Sequence, residues 1–490
     1  MAEAVTTRTV EPRLQRSIGL GRVLFQSIGV MGPGASIVFG LGLIIGNTGR
    51  ASPFAMFLAL IAAVFVATAI GQLAKRIPGA GGLYSFAAAT FGPDAGFLVG
   101  WGYAIMSWIL PTVGALLFGI VGTDFCTTYL HFTPPWWPLS LLVLLTTLVA
   151  TYYGVRTSTT VTMALGIAEV TILTVVSLLL IIHAGAANTL SVFNPANAAQ
   201  AGKSTINWVF LGVVYALATF VGFDSAVQLS EEAENPRWVV PRAVVLAAGC
   251  IGLFYVFAMY TAVVAWGPSH LSGYLTSPDP WRQMSGKLGG FFSFLVVLAI
   301  LNSLVALTQA GYNATTRLLF AMGRAGSLPK ELAMVHPKHH TPYIAAFATG
   351  ALSLIATFLS AWKFGGAYNA FVYMITIVSL VFISLYIVTC VGCGVYYLTK
   401  GRAEFNPILH LVVPVVGLVL LVPALYYSAN GLTYPASWSI PTILIWMAGG
   451  VAILIVLRAN GRDISSETRR WTVASLEDDT EAEAAAPALT

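Results

Sequence analysis

Charged residues are scarce in this chain of 490 residues: Asp, Glu, Lys and Arg together make up only 9% of it, whereas 57% is apolar. A soluble domain carries about 25% charged residues, so this chain lacks the polar surface that water requires. The scarcity excludes a soluble enzyme and a nucleic-acid-binding protein. The mean hydropathy of +0.81 and the recurring uncharged stretches indicate an all-α protein that crosses a lipid bilayer many times.

Groups that carry out chemistry are also rare inside the apolar segments. No nucleophile–base pair and no metal-ligand cluster is found there, so neither an enzyme nor a bound metal or other cofactor is expected. The pair Cys390 and Cys393 lies in a hydrophobic segment, where helix packing is favoured over redox chemistry. The histidines of one basic loop are expected to be solvated, since their spacing is loose for a metal site: His336, His339 and His340.

Twelve apolar segments, each near the ~20 residues that a bilayer requires, can be counted along the chain. They lie near residues 22–46, 52–74, 95–121, 136–153, 158–184, 207–230, 243–266, 288–317, 342–361, 368–397, 408–428 and 438–458. Pro111 falls inside the third segment and predicts a kink there.

Lysine and arginine are distributed unevenly between the two sides of the predicted spans. If the N-terminus is cytoplasmic, all 24 lie on the cytoplasmic side except Arg50, Lys203, Arg282, Lys287 and Lys363. The polar N-terminus shows no cleavable signal peptide. We therefore expect a multi-pass protein of the cell (inner or plasma) membrane, with both termini cytoplasmic. Residues 1–18 and the acidic stretch 461–490 are expected to be tails, and the second to be disordered.

Two spans contain residues that interrupt a helix in mid-membrane. In the first span these are Gly32, Pro33, Gly34, Ala35 and Ser36, and in the sixth Gly222 lies among aromatic residues. Spans one and six begin two five-span halves, so matching breaks suggest an inverted repeat with a binding site at the midplane. The alternative is that the glycines only allow close helix packing.

Two carboxylates lie well inside predicted spans, Glu169 in the fifth and Asp224 in the sixth. Each would cost about 2.5–3.5 kcal/mol at the bilayer centre if it were charged and faced lipid, so both should face the bundle interior. They are candidates for proton coupling or for balancing a cationic substrate, or they are structural acids bonded to backbone. Tyr103, Phe220 and Phe223 could wall a pocket near them.

A cluster of acidic residues follows the sixth span. Glu231, Glu232 and Glu234 lie at its cytoplasmic end, beside Arg237 and Arg242. Their position predicts a capping or gating network with these two arginines rather than contact with substrate.

Three motifs in order resemble the amino acid–polyamine–organocation transporter superfamily. They are RIPGAGGLYSFAAATFGPDAGFLVGW before and within span three, TFVGFDSAVQLSEEAENPRWVVPRAV at span six, and NATTRLLFAMGRAGSLPKELAMVHPKHHTP at the end of span eight. The resemblance implies two inverted five-helix repeats that form a core over residues 19–400, with two peripheral helices over 401–460. It also implies alternating access around a substrate held by Gly32 to Ser36 and by Phe220, Val221, Gly222, Phe223 and Asp224.

The chain departs from that family at two positions. Many amino-acid transporters of the family have a Gly-Ser-Gly type motif in span one, whereas Pro33 here cannot donate a backbone hydrogen bond. Proline in this loop is similar to some putrescine importers of the superfamily. Where several proton-coupled members have lysine in span five, this chain has Glu169, which could carry the proton, bind a cation with Asn302 and Ser303, or take no part in coupling.

The expected function is therefore a secondary transporter of amino acids or related amines that imports or exchanges them, with proton coupling. Amino acids are favoured over polyamines, because a polyamine site should gather more carboxylates than two. The expected partners are this small molecule, a proton and the lipid bilayer, with no nucleic acid and no obligate partner subunit. The alternative from another class is a membrane nutrient sensor, which the short tails disfavour.

Overall fold

The computed structural model describes residues 14, 16–198, 205–277 and 279–460. The tail expected over 461–490, and most of the one expected over 1–18, lie outside these residues. Ile18 is nevertheless fully buried and forms an isolated parallel bridge with Ala233. The end of the first expected tail is therefore packed against the bundle.

Seventeen α-helices form the described chain. They are α1 Leu20–Met31, α2 Pro33–Phe39, α3 Leu41–Thr48, α4 Ser52–Arg76, α5 Leu83–Phe91, α6 Pro93–Tyr129, α7 Trp136–Tyr153, α8 Val155–Ala184, α9 Thr205–Thr219, α10 Pro236–Trp266, α11 Leu271–Thr276, α12 Pro280–Gly286, α13 Gly290–Arg324, α14 Tyr343–Phe364, α15 Ala367–Thr399, α16 Val413–Ala429 and α17 Ser439–Ala459. Short 3₁₀ helices occur at Gly49–Ala51, Gly185–Ala187, Leu190–Phe193, Pro195–Ala198, Phe223–Leu229, Lys330–Ala333, Arg402–Glu404 and Ala436–Trp438, and a π-helix at Ile408–Val412.

Twelve stretches of the described chain are long and apolar enough to cross a membrane, which confirms the predicted number. The boundaries differ most at the first span. The predicted segment 22–46 consists of α1, α2 and α3, which are separated at Gly32 and Gly40. The third span, α6, continues on both sides of Pro111.

Small residues let the central helices approach closely. α4 packs most extensively on α10, and its buried face carries alanine at positions 55, 59, 62 and 63. α6 packs on α13, where a Cβ atom on Gly311 would lie only 3.0 Å from Cδ of Pro111. Because lipid tails are as apolar as the helices, association of helices in a membrane depends on close packing, which small side chains permit.

The last helix, α17, lies at the edge of the bundle. Only 6% of its most apolar window is buried, and it is attached mainly to α6. Trp101 and Trp446 stack with ring centroids 4.5 Å apart, and each indole N–H donates to the other residue's carbonyl, at 2.7 and 2.8 Å. This reciprocal pair ties α17 to α6.

One face of the bundle contains the start of α1, and we call it the N-side. The loop 77–82, the segment 230–235 and the end of α13 meet there. The backbone N–H groups of Ser17 and Ile18 donate to the carbonyl of Glu232 at 2.8 and 3.1 Å. These bonds hold the residues before α1 across the N-side end of the sixth span.

Candidate functional site

The break between α1 and α2 consists of a single residue, Gly32, whose φ of 52° and ψ of 67° are left-handed. Its N–H donates to the carbonyls of Ile28 and Gly29, which ends α1. Pro33 then begins α2, as proline suits a first helical position that needs no N–H. The break is thus narrower than the predicted Gly32–Ser36, because Pro33 to Ser36 are already helical.

The first N–H groups of α2 are bonded to α13. Gly34 and Ala35 both donate to Oγ of Ser303, at 3.1 and 3.2 Å. Ser303 is fully buried, and a Cβ atom on Gly34 would lie 2.9 Å from its Cβ. Only glycine therefore lets α13 approach the start of α2 this closely. Ser36 Oγ donates to the carbonyl of Met31 at 2.8 Å.

The sixth span is interrupted between α9 and the 3₁₀ helix Phe223–Leu229. Gly222 has a φ of 110°, and its N–H donates to the hydroxyl of Tyr386 at 3.3 Å. A Cβ atom here would lie 2.3 Å from Cγ1 of Val30, near the end of α1. The two breaks therefore come together inside the bundle, as the pattern of glycines predicts.

Hydrogen bonds fasten α1 to the residues that follow the second break. The hydroxyl of Ser27 donates to the carbonyl of Phe223 at 2.6 Å and accepts from the N–H of Ala226 at 3.0 Å. This serine satisfies backbone groups that a 3₁₀ turn leaves unpaired, so the two spans are joined by polar as well as apolar contacts.

Asp224 lies just after the second break and is held by two tyrosines. Tyr103 on α6 donates to Oδ2 at 2.8 Å, and Tyr386 on α15 donates to Oδ1 at 2.7 Å. The aspartate is 1% exposed, and both tyrosines are buried. Tyr103 was among the predicted wall residues, whereas Tyr386 was missed because nothing distinguishes it from other aromatic residues of an apolar helix.

Aromatic rings surround both breaks. The ring of Phe223 stacks on that of Tyr386 with centroids 4.9 Å apart, and Phe220 meets Tyr255 edge to face at 5.5 Å. The hydroxyl of Tyr255 donates to the carbonyl of Met31 at 3.0 Å. Phe220 and Phe223, two of the predicted wall residues, thus lie beside the breaks, and Tyr255 of α10 lies with them.

Glu169 on α8 lies behind the first break. It is 1% exposed, and neither carboxylate oxygen has a hydrogen-bond partner among the described residues. The Ser303 hydroxyl and the Gly34 N–H are its polar neighbours. Asn302, by contrast, donates its amide to the carbonyl of Leu165 at 2.6 Å and so ties α13 to α8. The amide of Asn302 is thus bonded to the α8 backbone one turn before Glu169.

Two residues of the acidic cluster, Glu231 and Glu232, pair with arginines of α13. Arg317 binds Glu232 through two hydrogen bonds of 2.9 and 3.1 Å, and Arg324 binds Glu231. Arg242 donates instead to the carbonyl of Trp238, one turn earlier in its own helix. Spacing in the sequence could not indicate the α13 partners of Glu232 and Glu231, because these lie 85 and 93 residues away along the chain but at the same membrane face.

Glu231 also joins the N-side end of the sixth span to the loop before α5. Its Oε1 accepts from the N–H of Ala80 at 3.0 Å. Burial alone would raise the pKa of this carboxyl, but the charge of Arg324 and the bond from Ala80 outweigh burial and hold the pKa below its usual value. Glu231 therefore stays ionised at neutral pH, and its pair with Arg324 persists.

A buried row of polar side chains runs along α13 from this ion pair into the bundle. Gln309, Asn313 and Arg317 follow one another at four-residue spacing, which puts them on one face of the helix. Asn313 donates to Oε1 of Gln26 at 3.2 Å, and Gln309 donates to Oγ1 of Thr151 at 2.8 Å. These residues were not predicted, although polar residues at helical spacing in an apolar span are a readable signal.

Of the three loop histidines, His340 is exposed as predicted, whereas His336 is half-buried and hydrogen-bonded. His336 accepts at Nδ1 from the N–H groups of Lys338 and His339, each at 3.2 Å, and its Nε2 lies 3.1 Å from the hydroxyl of Tyr152. The ring thus shapes the turn and fastens it to α7. Within the described ranges, no group of three His, Cys, Asp or Glu residues is placed to hold a metal ion.

A model of the amino acid permease family matches residues 18–453, which is most of the chain. The low-affinity putrescine importer PlaP of Escherichia coli K12 is 27% identical over 365 residues, covering 73% of this chain and 77% of the importer. The branched-chain amino acid permease BcaP of Bacillus subtilis is 24% identical over 368 residues, covering 72% of this chain and 77% of that permease. The lysine-specific permease LysP of Lactococcus lactis is 27% identical over 379 residues, covering 73% and 72%.

The fold is shared with a solved structure. The crystal structure of MhsT in complex with L-phenylalanine aligns with a TM-score of 0.57 at 14% identity, covering 84% of this chain and 99% of MhsT. The predicted all-α fold, with five-plus-five core helices and two further ones, is confirmed by this likeness and by the twelve spans.

Proposed function

Because this chain belongs to the amino acid permease family and is thus a multi-pass membrane transporter rather than an enzyme, we propose that it moves an amino acid or a related amine by alternating access. The substrate is held between the break at Gly32 and the break at Gly222. The observation that carries this proposal is their contact: the position of a Cβ on Gly222 lies 2.3 Å from Val30. Interrupted helices at this depth are tolerated where they line a cavity or are buried in protein.

The residues proposed to bind the substrate come from four elements. The first span contributes Gly32–Ser36, the sixth contributes Phe220–Asp224, and Tyr103 and Tyr255 complete the walls. The electron-rich faces of these buried aromatic rings attract a cationic group, and Asp224 supplies a negative charge beside them. The site thus suits the ammonium group that amino acids and amines share.

The N-side is proposed to be cytoplasmic, in the cell membrane of a bacterium. All but five of the 24 lysines and arginines lie on that side if the spans alternate. Both ion pairs of the acidic cluster and the bridge at Ile18 lie there. These contacts must separate for the substrate to leave toward the cytoplasm, so the conformation described here is closed on that side.

Glu169 is the proposed coupling group, and the proton is the proposed coupling ion. An ionised carboxylate without a hydrogen-bond partner at this depth is costly, about 2.5–3.5 kcal/mol at a bilayer centre, and a bound proton removes that cost. Its neighbours Ser303 and Gly34 belong to α13 and α2, which meet at the first break. A change of charge at Glu169 would therefore act directly on the packing of these two elements.

Uptake into proteoliposomes tests both the function and the coupling. Pools of labelled amino acids and amines are offered to the wild type and to Glu169→Gln, with and without an inward pH gradient. We expect gradient-driven accumulation by the wild type that the variant loses, since glutamine cannot exchange a proton. The control is Glu331→Gln, an exposed residue of the N-side loop that should change nothing.

The outcomes separate the two proposals. Exchange that does not depend on the pH gradient and persists in Glu169→Gln would support the proposed transporter and assign Glu169 a structural role. A purified protein that binds but moves none of the pooled compounds would contradict the proposed function itself.

Asp224→Asn should lower the uptake efficiency kcat/KM for a cationic substrate by about 10- to 100-fold. Hydrogen bonds to a charged group contribute about 1.5–3 kcal/mol, and each 1.4 kcal/mol is about tenfold. Asparagine removes the charge and leaves one of the two phenol O–H groups, of Tyr103 or Tyr386, without an acceptor. Initial rates of uptake over a range of substrate concentrations measure the effect.

The control for this variant is Asp94→Asn, which removes an exposed carboxylate that pairs with Arg458. It should transport normally, because exposed pairs contribute about 0–1 kcal/mol. Unchanged kinetics in Asp224→Asn would remove the charge-balancing role from Asp224.

A further inference from the structure

The backbone donors at the start of α2 are all used within the protein. Pro33 has no N–H, Gly34 and Ala35 donate to Ser303 Oγ, and Ser36 donates to the carbonyl of Gly32 at 2.8 Å. A helix start normally leaves such N–H groups open, and open ones attract an anion. Here the first turn of α2 offers none.

Ser303 is packed directly against the start of α2. Its side chain is fully buried, and the contact of 2.9 Å between its Cβ and the Cβ position of Gly34 shows that α13 and α2 already touch. Its hydroxyl oxygen thus occupies the place where a carboxylate oxygen of a substrate would accept these two N–H groups. Ser303 therefore caps the N-terminus of α2 in place of a substrate group.

The acidic side chains nearby also offer no favourable partner for a substrate carboxylate, whether or not Glu169 carries its proton. Glu169 lies beside Ser303 and Gly34, on the α8 side of the same break. Asp224 lies beside the second break, where the N–H of Gly222 is already bonded to Tyr386. Two carboxylates and five buried aromatic rings therefore surround the breaks, whereas neither a lysine nor an arginine is among the residues placed there.

We infer that the substrate is an amine without a carboxylate beside its ammonium group, and that Ser303 sets this preference by occupying the anion-binding N–H groups of α2. The inference rests on the proposed function and narrows it. It opposes the expectation from sequence that amino acids are favoured over polyamines. That expectation gave the small number of buried carboxylates more weight than the missing N–H of Pro33, and it did not foresee that Ser303 also occupies the next two donors.

The test compares pairs of compounds that differ only by a carboxylate: 1,4-diaminobutane with ornithine, and 1,5-diaminopentane with lysine. Uptake of each labelled compound is measured in proteoliposomes containing the full chain. For the wild type we expect kcat/KM at least tenfold higher for the diamine of each pair. A wild type that prefers ornithine and lysine would overturn the inference and leave the proposed transporter intact.

Two variants reopen the donors in different ways. Ser303→Ala frees the N–H groups of Gly34 and Ala35, and Pro33→Ser adds an N–H at the first position of α2. Each variant should raise the ratio of kcat/KM for the carboxylated compound to kcat/KM for its diamine at least tenfold. The matched control is Ser353→Ala, which removes another buried serine hydroxyl that bonds to the Trp108 carbonyl and should leave the ratio unchanged.

The variants are decisive even if one is unstable. If Ser303→Ala does not fold, Ser303→Cys tests the same two donors, because a thiol is a weak acceptor. Pro33→Ser tests only the donor missing at position 33, since it leaves Gly34 and Ala35 bonded to Ser303. Ratios in Pro33→Ser and Ser303→Ala that match the wild type would contradict the role of Ser303. Uptake of amino acids, but of neither diamine nor any other amine, would contradict the inference, and no uptake of any pooled compound would contradict the proposed transporter.

Discussion

Arg317→Met is expected to lower the free energy of unfolding by about 3–5 kcal/mol, because it leaves Glu232 as a buried charge without its guanidinium. Both side chains are at most 1% exposed, and the pair is joined by two hydrogen bonds. Burying a charge is tolerated only when it is paired. Unfolding of the purified protein by heat or by denaturing detergent measures the change.

A double variant separates the value of the pair from the cost of breaking it. Arg317→Met with Glu232→Leu should regain most of the lost stability, since apolar replacement of a whole buried pair is often neutral. The control is Arg458→Met, which breaks a pair that is 65% and 41% exposed and should cost less than about 1 kcal/mol. Equal losses at the buried and the exposed pair would show that burial is not the cause.

Gly222→Ala is expected to cost about 2–6 kcal/mol and to abolish transport. At a φ of 110° a side chain is strained, which costs about 1–3 kcal/mol, and forcing a methyl group into a packed core costs a further 1–3 kcal/mol. The added Cβ would lie 2.3 Å from Val30 and must displace α1 at the site. The yield of folded protein and its midpoint of thermal unfolding measure the effect.

The control for this substitution is Gly249→Ala in α10, where an added Cβ meets no atom within 4 Å. Alanine stabilises a helix interior relative to glycine by about 1 kcal/mol, so this variant should be at least as stable as the wild type. A Gly222→Ala protein that unfolds and transports like Gly249→Ala would mean that the second break adapts freely.

Much of the architecture can be read from hydropathy alone. A membrane span must satisfy its own backbone hydrogen bonds, so each apolar segment of about 20 residues becomes a helix whatever surrounds it. The positions of the breaks can also be predicted, since Gly32, Pro33 and Gly222 weaken a helix locally. The extent of the first break could not be predicted. Pro33 was expected inside it, but Pro33 begins the next helix, because the first position of a helix needs no N–H donor.

The two intramembrane carboxylates were equally predictable, because charge is rare in lipid and must face inward. Their environments were not. Asp224 is held by Tyr386, 162 residues away, and the N–H groups beside Glu169 are bonded to Ser303, 269 residues from Gly34. A serine or tyrosine in an apolar helix gives no sign of which distant backbone it will meet.

The acidic cluster shows the same limit at the membrane face. Arg237 and Arg242 are neighbours of Glu231 and Glu232 in the sequence, yet Arg324 and Arg317 bind them.

The spans, the breaks and the two buried carboxylates could be predicted from the sequence, because hydropathy, glycine, proline and charge act within one helix. The pairings, the N-side closure and the occupation of the α2 donors by Ser303 depend on how α13 packs against α1, α2 and the sixth span. Such packing joins residues far apart in the chain, and no local pattern encodes it.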